Sequence, residues 1–302
     1  MEVHDHGLAA DLEAMMKMTT KRRQSLRMLL AGAAALPLVG CGGGSSDSST
    51  SSTSSGTAST GATSTPTTST TTPTTGTTTT TTTTTTGSCT VIPEETGGPY
   101  PGDGTNSNSS GVVNVLTQTG VVRSDIRSSF NGMSGTAAGV PLTIRLHILN
   151  ANASCGAAGN FAVYLWHCDR EGRYSLYSSG VTNQNYLRGV QEADADGNVS
   201  FTTIFPGCYD GRMPHVHFEV YQSLAKAASA SNRIKTSQFT FPMATLNEVY
   251  ASTGYGTSAT NLSRISYATD NIFSDGYSLQ LATMSGNATD GYVATLTLAV
   301  AA

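Results

Sequence analysis

From Cys41 to Gly87 nearly every residue is Ser, Thr, Gly or Pro, including an unbroken threonine run from Thr77 to Thr86. Such a tract carries too little apolar surface to offset the entropy lost when a chain is ordered. It reads as a tether over residues 42–88, and it divides the chain into a leader region, 1–41, and a folding module, 89–302. The module is long enough for one domain with a sizeable core. Only 12% of the residues are charged and the net charge is -4. That charged share is about half the usual one, and no basic block exists, so nucleic acid is not expected as a partner.

Arg22 to Cys41 read RRQSLRMLLAGAAALPLVGC, a twin-arginine pair followed by an apolar stretch from Met28 to Val39. That stretch falls short of the ~20 residues a bilayer span needs, and its flanks suit an export signal. LVGC is similar to a bacterial lipobox, which marks Cys41 for lipidation. The expectation is export by the twin-arginine route and a membrane-anchored lipoprotein facing the periplasm or the cell exterior. The membrane is then met only through the lipid anchor. Cys89, Cys155, Cys168 and Cys208 face an oxidising compartment, where four cysteines allow three pairings. Cys89 with Cys155 is the favoured pair, because both lie at the edges of predicted strands. Cys168 and Cys208 either pair or stay as small buried thiols.

In the module, strand signals recur between turns. VPLTIRLHILNA (140–151), NFAVYLWHCD (160–169), GNVSFTTIFPG (197–207), HVHFEVY (215–221), SQFTFP (237–242) and GYVATLTLAV (291–300) are rich in β-favouring residues. Helical periodicity is weak except near 224–230 and 246–251. The pattern predicts an all-β module, an antiparallel β-sandwich of immunoglobulin or transthyretin type with few short helices.

His215 and His217 stand two apart on a predicted strand, so both imidazoles point to one face. Such a pair holds a metal, with zinc or copper the ordinary choices, or consists of two unrelated structural histidines. Tyr209 precedes the strand in a turn and Tyr174 follows the earlier stretch WHCDREGRY. Each phenol alone reads as a packing residue. Together, two Tyr and two His suit a hard, highly charged cation such as ferric iron.

At these residues the chain resembles the intradiol ring-cleavage dioxygenases, the family of protocatechuate 3,4-dioxygenase and catechol 1,2-dioxygenase. The resemblance runs over roughly 93–300 and rests on GGPYP, WHCDREGRYS, YLRG, FTTIFPGCYDGRMPHVHFEVY and TSQFTFP, in the family's order. It implies one non-haem Fe(3+) per chain, held by Tyr174, Tyr209, His215 and His217, with a solvent-derived hydroxide as fifth ligand. It also implies an enzyme that adds both atoms of O2 to a catechol-type substrate, cleaving the ring between the hydroxyl-bearing carbons to muconate-type products. By position, Arg212 matches an arginine beside the substrate ring, its bland alternative being a salt bridge to Asp210 or Glu219. Gln238 matches a glutamine near the oxygen pocket, Tyr209 matches the ligand that leaves as substrate binds, and Pro99 and Tyr100 fall either at the pocket rim or in a turn that supports the sheet. PGCYDGRMPH is shorter than the corresponding loop of the protocatechuate enzymes, so their substrate carboxylate site does not carry over. Two other classes compete: a surface-tethered β-sandwich that binds a metal or a phenol without turnover, and a zinc or copper enzyme using the same histidines. The preferred catechol and the number of chains in an assembly stay open at this level.

Overall fold

The computed structural model describes residues 89–302; the expected export signal, the lipidation expected at Cys41 and the expected tether lie outside them. Eleven strands and two short helices are formed: β1 Asp103–Asn108, β2 Gly111–Asn114, β3 Pro141–Asn150, β4 Gly156–Ala157, β5 Ala162–Trp166, β6 Arg188–Glu192, β7 Asn198–Ile204, β8 His215–Tyr221, β9 Arg233–Thr240, α1 Met243–Tyr250, α2 Gly256–Leu262, β10 Thr283–Asn287 and β11 Gly291–Val300. One sheet runs β10-β11-β3-β4 with β7 also on β3, the second runs β6-β5-β8-β9, and β1 and β2 form a separate hairpin. The all-β sandwich is therefore present. It departs from a purely antiparallel one at a single strand pair, since β11 lies parallel to β3 from Tyr292↔Leu142 to Val300↔Asn150.

Alternation along the strands builds the core. Leu142, Ile144, Leu146 and Ile148 of β3 and Leu296 and Leu298 of β11 meet Val163 and Leu165 of β5, Val216, Phe218 and Val220 of β8 and Phe239 of β9 in one buried cluster. Removing these faces from water is the main favourable contribution to folding. The opposite face of the second sheet is buried as well. There Tyr164, Trp166 and Tyr221 pack with Val113, Val115 and Leu116, which follow the β1–β2 hairpin or belong to it. All seven residues of β8 are buried for this reason. The even face of β8 makes the sandwich, and the odd face, with both histidines, looks into the layer under the amino-terminal segment.

Cys89 and Cys155 are joined in a disulfide, and Cys168 and Cys208 are free and buried. No helix among the described residues is long and apolar enough to cross a membrane. The periodicity near 246–251 becomes α1, whereas that near 224–230 becomes only a 3-10 turn, Lys226–Ala228.

Candidate metal centre

His215 and His217 open β8, pairing with Thr240 and Gln238 of β9. Both are 2% exposed. The ring nitrogen Nδ1 of His215 meets the Met213 carbonyl at 2.6 Å. That carbonyl can only accept, so Nδ1 carries the proton and the Nε2 lone pair is left facing the layer. The His217 ring lies flat on Trp166, with centroids 5.0 Å apart and planes 3° from parallel, and Trp166 stacks in turn on Tyr164 at 4.9 Å. Close to the same ring comes Gly98, whose φ of +69° is the left-handed conformation glycine adopts freely. A Cβ there would stand 3.3 Å from His217 Cε1, so the glycine also lets the loop come this close.

The two phenols arrive from separate turns. Tyr174 is buried and Tyr209 half-buried, and the turns pack on each other at Gly172, where φ is +84° and a Cβ would sit 2.9 Å from Tyr209 Cβ. The four donor atoms converge. His215 Nε2 is 3.0 Å from His217 Nε2, 3.2 Å from Tyr209 Oη and 3.4 Å from Tyr174 Oη, and His217 Nε2 is 3.2 Å from Tyr174 Oη. Donors bound about 2.0–2.2 Å from one cation and roughly 90–110° apart would stand about 2.8–3.6 Å from each other, a range that contains these distances. The residues present therefore fit a metal. Among the described residues no group of three or more His, Cys, Asp or Glu could hold one, so the set depends on its two phenols.

Burial dominates the electrostatics. It pushes both imidazoles well below the ordinary histidine value, helped for His215 by the Arg212 charge and for His217 by His215. It lifts Tyr174 well above the ordinary tyrosine range, with Tyr209 adding to the rise. Tyr209 is pushed up to about 12 by burial, against the pull of Arg212. Neutral imidazoles keep their lone pairs for a cation, and phenols in this setting ionise only when a strong positive charge is beside them.

Arg212 is 1% exposed and donates from Nε to Asp270 at 2.9 Å and from Nη2 to Gln238 Oε1 at 2.7 Å. The salt-bridge alternatives considered for it, Asp210 and Glu219, are not its partners. Asp210 is exposed, and Glu219 accepts from Tyr221 Oη at 2.5 Å. The Nη1 nitrogen of Arg212 is buried without a hydrogen-bond partner. Gln238 uses its other end to donate to the Thr96 carbonyl at 2.8 Å, so it braces Arg212 against the loop that covers the histidines. In that loop the Tyr100 ring lies 5.3 Å from Tyr174 and 4.9 Å from Tyr177, and the Pro99 carbonyl accepts from Asn106. All the residues read as site residues in the module, Pro99 and Tyr100 included, are thus brought to one layer.

The sequence reading missed two groups, Asp270 and Arg188. Asp270 had a weak local signal, because an Asp just before a short helical turn commonly accepts from following N–H groups. Arg188, in YLRG, is 1% exposed. It donates to Ser175 Oγ (3.0 Å), the Ser175 carbonyl (3.0 Å), the Pro101 carbonyl (2.8 Å) and Tyr164 Oη (3.3 Å). It therefore ties the turn carrying Tyr174 to the end of GGPYP. Leu176 and Leu187 beside these contacts have φ of 73° and 58°, a left-handed conformation that costs a non-glycine residue of order 1–3 kcal/mol and persists only where surrounding bonds enforce it.

A family model described as Dioxygenase matches residues 121–229, a span that contains all four candidate ligands and Arg212. An intradiol ring-cleavage dioxygenase from Tetranychus urticae shares the fold at 22% identity, over 70% of this chain and 95% of that one, with a TM-score of 0.54. The dioxygenase domain of a carbohydrate-binding fusion protein from Streptomyces sp. SirexAA-E matches at 22% identity over 69% of this chain and 97% of its own, with a TM-score of 0.42. For 3-chlorocatechol 1,2-dioxygenase from Rhodococcus opacus 1CP the values are 14%, 66% and 73%, with a TM-score of 0.41. No curated protein matches the chain in sequence. The match to a dioxygenase family model thus covers the segment that carries the converging donors, and the fold is shared with an intradiol ring-cleavage dioxygenase. The resemblance is borne out as far as these matches reach: the family model spans WHCDREGRYS, YLRG and FTTIFPGCYDGRMPHVHFEVY, while GGPYP and TSQFTFP lie outside it.

Proposed function

We propose that the module is a non-haem ferric dioxygenase that cleaves catechol-type aromatics between their two hydroxyl-bearing carbons. The observation that carries this reading is the convergence of Tyr174, Tyr209, His215 and His217, with donor atoms 3.0–3.4 Å apart in a buried layer. Ferric iron bound there would supply a Lewis acid for both catechol oxygens and an oxidised centre that draws electron density from the ring, so that O2 meets activated carbon. The chain's own residues do the rest. A catechol must shed protons to bind through both oxygens. Tyr209, half-buried on a turn between Gly207 and Gly211, would as a phenolate accept one at Oη, and a solvent-derived hydroxide would accept the other. Tyr174 stays, because its turn is held through Ser175 by Arg188. Arg212 presents Nη1 as a fixed N–H to negative charge that grows on the ring, in a layer where little water competes. The loop of Pro99 and Tyr100 closes one side and keeps bulk water from the histidines.

Oxygen uptake with a panel of catechols on iron-loaded protein, with ring cleavage read by product absorbance, tests the reading. The expected result is a red-brown protein, from tyrosinate-to-iron charge transfer, that consumes one O2 per catechol. A colourless protein after iron loading would remove the ferric assignment; a coloured protein that takes up no O2 would favour the binding module without turnover. We propose further that the chain is exported by the twin-arginine route and anchored through Cys41, on the strength of RRQSLR and LVGC. That route carries folded proteins, which suits a metal loaded before export.

A further inference from the structure

Asp270 lies after α2, next to the short helical turn Phe273–Asp275, and is 0% exposed. Its two carboxylate oxygens accept from four donors. Oδ1 takes the backbone N–H groups of Ile272 at 2.8 Å and Phe273 at 3.0 Å. Oδ2 takes Arg212 Nε at 2.9 Å and the Met213 backbone N–H at 2.7 Å. The same Met213 residue offers its carbonyl to His215 Nδ1 at 2.6 Å. A guanidinium is planar and rigid, so holding Nε and Nη2 leaves Nη1 no choice of direction. Asp270 holds the first and Gln238 the second, while Nη1 is the buried nitrogen without a partner. The carboxylate also balances a buried cation whose isolation would be costly.

We propose that Asp270 is a positioning residue of this site: it aims the free nitrogen of Arg212 at the substrate. The inference rests on the dioxygenase reading for what Arg212 Nη1 meets; what Asp270 holds is a property of the chain alone. A merely structural role, capping Ile272 and Phe273, would not couple Asp270 to Arg212, and this difference is what the experiment reads.

In the metal-free full chain with arginine side chains labelled with nitrogen-15, the Nε proton of Arg212 is expected to exchange with solvent about a hundredfold more slowly than that of an exposed arginine. Asp270→Asn should cut that protection about tenfold, because an amide turns its own N–H groups toward two of the four donors. In iron-loaded protein Asp270→Asn should weaken binding of 4-nitrocatechol, read by absorbance, about tenfold, and the double variant with Arg212→Ala should bind no worse than Arg212→Ala alone. Additive losses in the double variant, or an Arg212 Nε proton exchanging as fast as an exposed one, would overturn the proposal. If Asp270→Asn does not fold, the exchange rate in the unsubstituted chain decides alone. An unsubstituted iron-loaded protein that binds no catechol would overturn the dioxygenase reading instead, with the exchange measurement still judging Asp270.

Discussion

Arg188→Met separates the role of one buried arginine from the ligand set it supports. The substitution keeps most of the volume and removes four hydrogen bonds, each worth about 1.5–3 kcal/mol for a charged donor. Their sum overstates the loss. The Pro101 carbonyl keeps the Tyr164 hydroxyl at 2.6 Å, and Ser175 Oγ keeps its bond to the Tyr186 carbonyl at 2.7 Å. Removing the buried cation also returns its desolvation cost. What remains is the Ser175 carbonyl, which loses the donor it has in the structure and costs about 1–3 kcal/mol, together with some lost packing. A net loss of about 2–4 kcal/mol is expected, and at about 2–4 °C per kcal/mol for a domain of this size Tm falls by roughly 5–15 °C. Since Ser175 follows Tyr174, the iron content and the visible band should fall with it, and Arg188→Lys should recover part of both. Thermal unfolding and iron analysis on the same preparation read the two effects. A Tm within about 2 °C of the unsubstituted protein, with full iron content, would refute the claim that this arginine ties the two segments together.

The remaining expectations concern the ligands, the cross-link and pH. Tyr174→Phe, His215→Ala and His217→Ala should each abolish stoichiometric iron and the visible band; full absorption in any of them would remove that residue from the donor set. Cys89→Ser should lower stability by about 4 kcal/mol, the chain-entropy value for a 66-residue separation. Its denaturant midpoint should drop while iron content holds, and a loss below about 1 kcal/mol would contradict the entropic account. His167, 1% exposed between the Cys168 carbonyl and Thr203, is pushed down to about 4 by burial from an ordinary 6.5. The unfolded chain therefore binds a proton between those values that the folded chain refuses, so stability is lost as pH falls from about 6.5 through about 4. His167→Gln should make that part of the stability profile shallower, with His215 and His217 still contributing in the same direction, and an unchanged slope would assign it to other groups.

Much of this site was legible because its signals are local. An extended strand repeats every two residues, so His215 and His217 had to share a face whatever the rest of the chain did. PGCYDGR and REGRY read as turns at strand ends, which put Tyr209 and Tyr174 beside strands; that those strands, β8 and β5, pair in one sheet is a finding of the structure. Other elements were not legible. β1 reads DGTNSN and β10 TMSGN, without alternation or branched apolar residues, and they are strands because partners are present to pair with them. β6 begins inside YLRG, which gave no strand pattern, and its pairing with β5 from Ala162↔Glu192 to Trp166↔Arg188 makes it one.

Only the family resemblance joined Tyr174 and Tyr209 to the histidines as one set. By itself the sequence determined that the tract from Cys41 to Gly87 is poor in apolar residues, that short strand signals recur after it, and that two imidazoles share one strand face. These follow from composition and from backbone periodicity, which act over neighbouring residues. Tertiary structure alone decided that β11 runs parallel to β3, that the histidine face of β8 is covered rather than wet, and that Arg212 is held by Asp270, 58 positions away. Strand direction, burial and buried charge pairing are settled by what packs across the sheet. Contacts of that kind leave no periodic trace in the chain that makes them.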